Sequence, residues 1–260
     1  MIRLKNEKQI AGIRRSCKLL GAMYRELLPQ VTAGVETIEI DRWVKTWIKK
    51  AGGVPVFLGY GPKKAPYPAA ICISINNEVI HGLPSKRRIL EGDLVSLDCG
   101  INLEGFVSDQ AVTVAVGKAD SAALALNAAT EECLYRGIAA ARAGDRLLQI
   151  ARAVSGYAAE QGYGVVRDFC GHGVGLELHE DPQVPNYPHG ANPRMSAGMV
   201  IAIEPMINQG TEQVEILDDG WTVVTRDSKL SAHWEHTIAI FSDHTEILTE
   251  PLGVLKGPIF

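Results

Sequence analysis

Two stretches of the chain repeat one pattern, in which a glycine is followed by an apolar strand and then by a carboxylate. They are GDLVSLD, from Gly92 to Asp98, and GMVIAIE, from Gly198 to Glu204. A helical segment lies upstream of each stretch. In both cases one glycine precedes the segment and a second, eighteen residues later, ends it: Gly34 and Gly52 in the first case, Gly144 and Gly162 in the second. This repeated order predicts two similar halves packed about a pseudo-twofold axis. Chance similarity between short glycine-rich and apolar matches is the alternative.

The composition fits one domain that spans residues 1–260, with halves of about 1–118 and 119–260. Of the 260 residues, 46% are hydrophobic and 22% are charged, and single cores of this size are common. A net charge of −4 without a Lys/Arg block predicts no specific binding to nucleic acid or to a membrane. The five cysteines are scattered and never in C-x-x-C spacing. They favour a reducing cytoplasm over a disulfide framework.

Helical and strand patterns alternate along the chain and predict an α/β fold of the α+β kind. Apolar residues recur every three or four positions from Ile10 to Leu27. A second helix is predicted to have Thr37 as its N-cap and to carry Trp43 and Trp47 inward. β-branched strands follow between residues 71 and 116. Two further helices, 121–141 and 146–162, lead into a second strand-rich stretch, 164–248.

Asp98 and Asp109 belong to two consecutive predicted strands. A two-residue turn at Leu103 and Glu104 would place them directly opposite each other in an antiparallel hairpin, with Cβ atoms about 4.5–5.5 Å apart. Like charges at that distance destabilise a sheet, and the apolar residues around Asp98 predict that it is buried. A bound cation would turn the two carboxylates into ligands, whereas two solvated edge aspartates are the alternative.

The second half supplies two more carboxylates and a histidine. Glu204 ends the repeated stretch as Asp98 does, and Glu235 in HWEHTIAIF resembles Asp109. His172 stands between glycines in GHGVG, which allow close backbone approach and leave the ring unobstructed. Four carboxylates and one imidazole form an oxygen-rich set that suits manganese, iron or cobalt. Two divalent ions would balance the four negative charges.

Five motifs occur in a fixed order: HGLP at His81, LDCGINLEGFVSD from Leu97, GHGVGLELHEDP from Gly171, IAIEP from Ile201 and SAHWEHT from Ser231. With these motifs the chain resembles the type I methionine aminopeptidases, in their short bacterial form, over residues 1–251. The resemblance implies the pita-bread fold, in which two pseudo-symmetric halves enclose a dinuclear site. It also implies a hydrolase, a metallo-aminopeptidase that removes the initiator methionine before a small second residue.

The resemblance assigns metal ligands residue by residue. Asp98 would bind one ion, His172 and Glu204 would complete the second, and Asp109 and Glu235 would bridge the pair. The ions implied are cobalt, manganese, iron or zinc. They would lower the pKa of a water molecule so that it attacks the scissile carbonyl as hydroxide.

The resemblance also assigns residues that handle the substrate. Glu204 would shuttle the proton, His179 would stabilise the oxyanion, and His81 would lie near the substrate amine. Whether Asn76 and Ser231 hold a monovalent cation is left open by the sequence.

The implied methionine pocket has walls formed by Tyr60, Tyr67, Cys72 and Trp221. Three features depart from the common bacterial pattern. The segment from Gly61 to Pro66 is longer, Phe57 stands where a cysteine is frequent, and Leu178 stands where phenylalanine is frequent. Recognition of methionine therefore follows less directly from the resemblance than the chemistry does.

Two other functions stay open: another pita-bread metallopeptidase such as an X-Pro aminopeptidase, and a metal-free binding protein on this fold. Such binding proteins generally lose ligands, whereas all the ligand positions are intact here. The implied partners are N-terminal methionine peptides and nascent polypeptides near the ribosome, and we expect a cytoplasmic monomer. The remaining histidines, His189, His233, His236 and His244, are predicted to be core or surface residues without a functional role.

Overall fold

The computed structural model describes residues 1–252. Residues 253–260, part of the predicted domain, lie outside the described residues. The helices are α1 (Glu7–Leu27), α2 (Thr37–Lys50), α3 (Ser121–Ala139) and α4 (Leu148–Glu160). The strands are β1 (Val54–Pro55), β2 (Cys72–Ile75), β3 (Glu78–Ile80), β4 (Leu94–Leu103), β5 (Phe106–Ala115), β6 (Gly164–Val165), β7 (Gly171–Gly173), β8 (Glu180–Val184), β9 (Val200–Ile203), β10 (Met206–Asn208), β11 (Val214–Ile216), β12 (Val223–Thr225), β13 (Ser231–His233), β14 (His236–Ile240) and β15 (Thr245–Ile247). This mixture of helices and sheets confirms the predicted fold class.

The first helix forms because its apolar residues share one face. Asn6 caps its N-terminus, where the side chain accepts a hydrogen bond from the backbone of Gln9 at 2.9 Å. Ile13 on the apolar face is fully buried, and α1 packs against β4 and β5. The helix ends at Leu27, before Pro29, as the sequence predicted.

The second helix begins where predicted but is capped differently. Its N-cap is Glu36, because the hydroxyl of the buried Thr37 is used elsewhere, accepting a hydrogen bond from the backbone of Ser85 at 2.8 Å. Trp43 and Trp47 are half-buried against the core instead of enclosed in it. The inward prediction for these tryptophans was therefore only partly right.

Antiparallel sheets form the layer that the helices cover. In the first half, β4 pairs with β5 on one edge and with β1 and β2 on the other. In the second half, the strand order is β15-β14-β9-β7-β8. Two three-stranded sheets, β13-β10-β6 and β11-β12-β3, complete the layer. Among residues 1–252, no helix has both the length and the hydrophobicity needed to cross a bilayer.

The two halves repeat the same backbone contacts. Gly34 donates to the carbonyl of Ile89 at 2.8 Å, and Gly144 donates to the carbonyl of Met195 at 2.8 Å. The glycines that open the two repeated stretches have similar positive φ angles, 88° and 90°. These paired contacts support the predicted duplication, while the single domain of residues 1–260 stays a prediction.

The hairpin of β4 and β5 turns one residue later than predicted. Its turn residues are Glu104 and Gly105, in place of Leu103 and Glu104, and their φ angles are 54° and 86°. Two positive φ angles are typical of a type I′ turn, in which glycine is favoured at the second position. The position of the glycine thus sets the register of the hairpin.

This later turn shifts the pairing of the two aspartates. Asp98 lies opposite Ala111, and Asp109 lies opposite Gly100. The prediction that Asp98 and Asp109 oppose each other directly was wrong. They are diagonal neighbours on one face of the sheet, because their positions differ by an even number of residues in the ladder.

A buried ion pair ties the N-terminal segment to the region of the predicted site. Lys5 Nζ lies 2.9 Å from Oε2 of Glu180, and their side chains are 1% and 2% exposed. The backbone of Lys5 also donates to the carbonyl of Gly198 at 2.7 Å. The other oxygen of Glu180 accepts from two backbone N–H groups of the preceding loop, at 2.8 and 3.1 Å. The pair therefore fixes the chain directly after His179.

Replacing Lys5 with methionine is expected to lower the free energy of unfolding by about 3 kcal/mol, because the carboxylate of Glu180 would stay buried without its cation. Arg3→Met is the matched control, since Arg3 pairs with Glu177 on the exposed surface and its loss should change little. Urea denaturation of both variants measures the difference. Equal losses in the two variants would contradict the importance of the buried pair.

Candidate metal centre

The predicted metal ligands come from strands or from residues next to them. They are Asp98 in β4, Asp109 in β5, His172 in β7, Glu204 directly after β9 and Glu235 directly before β14. All of them line one pocket. The other predicted site residues line the same pocket, namely Tyr60, Tyr67, Cys72, His81, His179 and Trp221. The structure thus brings these eleven side chains together in one pocket.

The glycines beside His172 are required by close packing. A Cβ atom on Gly171 would lie 2.3 Å from the carbonyl oxygen of Ala202, and one on Gly173 would lie 2.3 Å from that of Asp181. Both distances are too short for any side chain. Neighbouring backbone therefore holds His172 tightly, which confirms the reading of GHGVG.

The ring of His172 presents Nε2 to the carboxylates. Its Nδ1 lies 3.0 Å from the carbonyl oxygen of Gly173, so in the neutral ring Nδ1 carries the proton and Nε2 a lone pair. Nε2 lies 3.5 Å from Oε1 of Glu204 and 3.8 Å from Oδ2 of Asp109. One donor atom each from Asp109, His172 and Glu235 lie within 4.8 Å of one another. This spacing suits ligands of a common cation.

Several carboxylate oxygens at the centre are buried without a hydrogen bond. Within residues 1–252 they include Oδ1 of Asp98, Oδ1 of Asp109 and Oε1 of Glu235. An unsatisfied buried polar group costs about 1–3 kcal/mol, and more when it is charged. Divalent cations would satisfy these oxygens, so the residues present fit a metal centre.

Burial raises the pKa of every carboxyl group in this centre. It raises the pKa of Asp98 to about 7 and that of Glu204 to about 8. The pKa values of Asp109 and Glu235 also rise well above their usual range, because of burial first and of the neighbouring carboxylates second. Nearby His233 opposes the rise of the Asp98 pKa. Cations would reverse these shifts, since they stabilise the ionised carboxylates.

Burial has the opposite effect on the imidazoles. It lowers the pKa of His172 to about 3 and that of His81 to about 4, and it also lowers the pKa values of His179 and His233. These rings are therefore neutral at pH 7. Neutral imidazole is the form that binds metal or donates a single hydrogen bond.

Tyr60 orients His179 beside the metal ligands. Its hydroxyl lies 2.6 Å from Nδ1 of His179, and the ring of His179 is T-shaped to that of His172 at a centroid distance of 4.2 Å. When the hydroxyl donates to Nδ1, the proton of the neutral ring lies on Nε2. His179 then offers a hydrogen-bond donor to the pocket.

His81 directly follows β3 with an unusual backbone. Its φ is 59°, in the left-handed region that costs a side-chain-bearing residue about 1–3 kcal/mol. The next residue, Gly82, is held by the hydroxyl of Ser74, which accepts from its backbone at 3.1 Å. The ring of His81 meets Phe169 and Trp221 edge-on, at 5.7 and 6.2 Å between centroids. These contacts fix the ring at the pocket wall.

Part of the pocket lining is an apolar wall. It is formed by Phe57, Tyr67, Cys72, Leu178 and Trp221. The ring of Tyr67 meets that of Trp221 edge-on at 5.1 Å, and its hydroxyl donates to the carbonyl of Gly82 at 2.9 Å. The hydroxyl of Tyr67 is therefore satisfied by the protein, and its ring is free to contact an apolar ligand.

The loop between Tyr60 and Tyr67 is held at its base by backbone hydrogen bonds. Gly59 donates to the carbonyl of Tyr67, and Tyr67 donates to that of Tyr60, both at 2.8 Å. The residues between Tyr60 and Tyr67 are exposed. Gly61 lies against the wall, since a Cβ atom there would lie 2.5 Å from the ring of Trp221.

The sequence missed four residues of the pocket region, and two of them, Ile80 and Cys170, line the pocket. Phe169 also lines the pocket, and its signal was an aromatic residue three positions before the glycine-flanked His172. His233 was predicted to be an ordinary core residue, yet its Nε2 is buried without a hydrogen-bond partner within residues 1–252. Asn76 and Ser231 do meet, since Ser231 donates to the carbonyl of Asn76 at 2.8 Å.

Comparisons with known proteins agree with this geometry. A family model for metallopeptidase family M24 matches residues 11–241. A protein of Treponema pallidum (strain Nichols) named methionine aminopeptidase is 53% identical over 98% of this chain and 98% of its own. One of the same name from Clostridium perfringens is 48% identical over 96% of this chain and 99% of its own. The crystal structure of methionine aminopeptidase from Thermotoga maritima matches with a TM-score of 0.92 and 39% identity, over 96% of this chain and 100% of that one. The chain belongs to metallopeptidase family M24 and has the pita-bread fold.

Proposed function

We propose that this protein is a methionine aminopeptidase, a hydrolase that removes the initiator methionine from chains with a small second residue. One observation carries the proposal. The carboxylate centre, an apolar aromatic wall and His179 all line a single pocket. Such a pocket accepts one apolar side chain beside the bond to be cleaved. The names of the relatives support the same activity.

The proposed cofactors are two divalent ions, with cobalt, manganese, iron and zinc as candidates. Asp98 would hold one ion, His172 and Glu204 the other, and Asp109 and Glu235 would be shared. The orphaned carboxylate oxygens support this ligand set. When bound, such ions supply Lewis acidity to the scissile carbonyl and to a water molecule. A monovalent cation beside Asn76 and Ser231 is proposed as an addition.

The side chains around the centre would handle the proton and the developing charge. Glu204 is positioned to accept a proton from the attacking water and to pass it to the leaving amine. His179 would donate from Nε2 to the carbonyl oxygen of the scissile bond, with Tyr60 holding the ring in the required tautomer. His81 would lie near the substrate amine and the next peptide nitrogen.

The apolar wall would recognise methionine. Tyr60, Tyr67, Cys72 and Trp221 offer aromatic and sulfur surface that suits a flexible thioether. The substrates would be N-terminal methionine peptides and nascent polypeptides near the ribosome, and the protein would act as a cytoplasmic monomer. The cysteines, all free in the described structure, support a reducing compartment.

A peptide panel tests the proposal directly. The chelated protein should be inactive, and after addition of manganese, iron or cobalt it should cleave Met-Ala-Ser at least roughly tenfold faster than Met-Lys-Ser or Leu-Ala-Ser. Rates are measured as kcat/KM, with the chelated protein as the blank. Comparable turnover of Leu-Ala-Ser and Met-Ala-Ser would indicate a general aminopeptidase, and preferential cleavage of Met-Pro peptides would indicate an X-Pro enzyme.

His179→Ala is expected to lower kcat by roughly 100-fold or more while metal content persists, because it removes a donor to the developing oxyanion. Metal content is measured by elemental analysis of the same sample used for kinetics. Loss of metal in parallel with activity would mean that His179 is a ligand.

Tyr60→Phe tests the tautomer of His179. Losing one hydrogen bond of about 1 kcal/mol should lower kcat by roughly fivefold with little change in KM. Nitrogen-15 NMR of the histidine ring should show the proton on Nε2 in the parent and a mixture of tautomers in the variant. Tyr67→Phe is the matched control, because the hydroxyl of Tyr67 bonds backbone and not His179. An unchanged His179 spectrum in Tyr60→Phe would exclude the positioning role.

A further inference from the structure

His233 ends β13 inside the protein and is 1% exposed. Its Nε2 is buried and has no hydrogen-bond partner within the described chain. A histidine packed only for structure would normally satisfy both ring nitrogens. The nearest charged group to this nitrogen is Glu204, whose Oε2 lies 3.4 Å away. The ring therefore faces the carboxylate centre.

The fold places His233 at the position that corresponds to Asp109. Thr237 Oγ1 accepts from the backbone N–H of Asp109 at 3.3 Å and donates to its carbonyl at 2.8 Å. Thr113 Oγ1 accepts from the backbone N–H of His233 at 3.0 Å and donates to its carbonyl at 2.8 Å. The two halves thus exchange equivalent hydrogen bonds, with Asp109 and His233 as counterparts.

The strand registers give the same correspondence. Asp109 lies six residues before Ala115, which pairs with the first residue of β4. His233 lies six residues before Ala239, which pairs with the first residue of β9. By this register the counterpart of Glu235 is Ala111, so the predicted match of Asp109 with Glu235 was off by two residues. A side chain at the position of a proposed ligand thus projects from the other half.

The distances around Glu204 suit coordination better than hydrogen bonding. Oε1 lies 3.5 Å from Nε2 of His172, and Oε2 lies 3.4 Å from Nε2 of His233. Both exceed the usual hydrogen-bond length of about 2.7–3.2 Å. Two ligands that each lie about 2.1 Å from one ion are about 3.0–3.4 Å apart at ordinary coordination angles. Glu204 therefore presents one oxygen to each imidazole at a separation close to that of neighbouring ligands.

We propose that His233 is a further metal ligand, which would donate Nε2 to the ion that Asp98 would hold. Oε2 of Glu204 would be its neighbouring ligand there, and Oε1 of Glu204 would lie beside His172 at the other ion. The inference rests on the proposed dinuclear centre and adds to it a second nitrogen donor. Each ion then has one imidazole, His172 on one side of Glu204 and His233 on the other. A second imidazole makes the set softer, which favours cobalt, iron or zinc over manganese at this ion.

The test counts imidazoles on the metal. The full-length protein is loaded with two equivalents of Co²⁺, and X-ray absorption measures the average number of imidazoles per ion. We expect one imidazole per ion in the parent and one for every two ions in His233→Gln. Calorimetric titration with Co²⁺ should show one of the two binding steps weakened by roughly tenfold or more.

His236→Gln is the matched control, because His236 is also buried with an Nε2 that has no hydrogen-bond partner among residues 1–252, but its Nδ1 bonds Thr249 at 2.8 Å and its ring packs on Tyr135 instead of facing Glu204. Its imidazole count and Co²⁺ affinity should equal those of the parent. One imidazole for every two ions in the parent protein would overturn the proposal, even if no variant folds. So would an unchanged count and affinity in a folded His233→Gln.

The two readouts are independent of peptide cleavage. A parent protein with one imidazole per ion that cleaves no methionine peptide would support the ligand and refute the proposed activity. A protein that cleaves methionine peptides but loses no imidazole in His233→Gln would refute the ligand and leave the activity intact. Failure of the parent to bind Co²⁺ would overturn both.

Discussion

Repulsion among buried carboxylates is the constraint on which the centre of this protein depends. Asp98, Asp109, Glu204 and Glu235 meet where water is largely excluded, and each has a raised pKa. Two unit charges about 4 Å apart interact by about 4 kcal/mol at the effective dielectric of a protein. The centre must therefore hold either protons or cations. Because cations relieve the repulsion without protonating the ligands, metal binding and the order of the centre are coupled.

The carboxylates meet only because two halves of the chain meet. Thr113 and Thr237 each bind the backbone of the opposite half, and Glu235 donates to the carbonyl of Ala111 at 2.9 Å. These hydrogen bonds cross the interface between the halves at the level of the ligands. Neither half carries a complete ligand set, so the position of each carboxylate relative to the others depends on this interface. The repeated halves thus supply the scaffold, and different residues at equivalent positions supply the different proposed ligands.

The sequence predicted the structure correctly where a local pattern of residues decides it. It failed where the structure depends on which residues of two strands pair. The helix from Glu7 to Leu27 follows from periodicity alone. The prediction that Asp98 and Asp109 lie directly opposite each other was wrong, because moving a turn by one residue changes the pairing of the two strands by two residues. The preference for glycine at the second position of the turn, which Gly105 occupies, was overlooked. His233 was missed because a lone histidine carries no signal. An alignment of the two halves through their paired strands would have shown that His233 is equivalent to Asp109. That alignment requires the strand registers, which only the structure provides.

The proposed ligands and most of the apolar wall lie in different parts of the fold. The proposed ligands belong to paired strands or to residues next to them, where hydrogen-bonded ladders limit movement. Most of the apolar wall, namely Phe57, Tyr67, Leu178 and Trp221, instead lies in connections between strands, whereas Cys72 belongs to β2 and pairs with Asp98. The backbone bonds between Tyr60 and Tyr67 confine the extra length of their loop to exposed residues. Wall side chains in these connections can therefore change with little effect on the proposed ligands, whereas a shift of one strand would move several of them together.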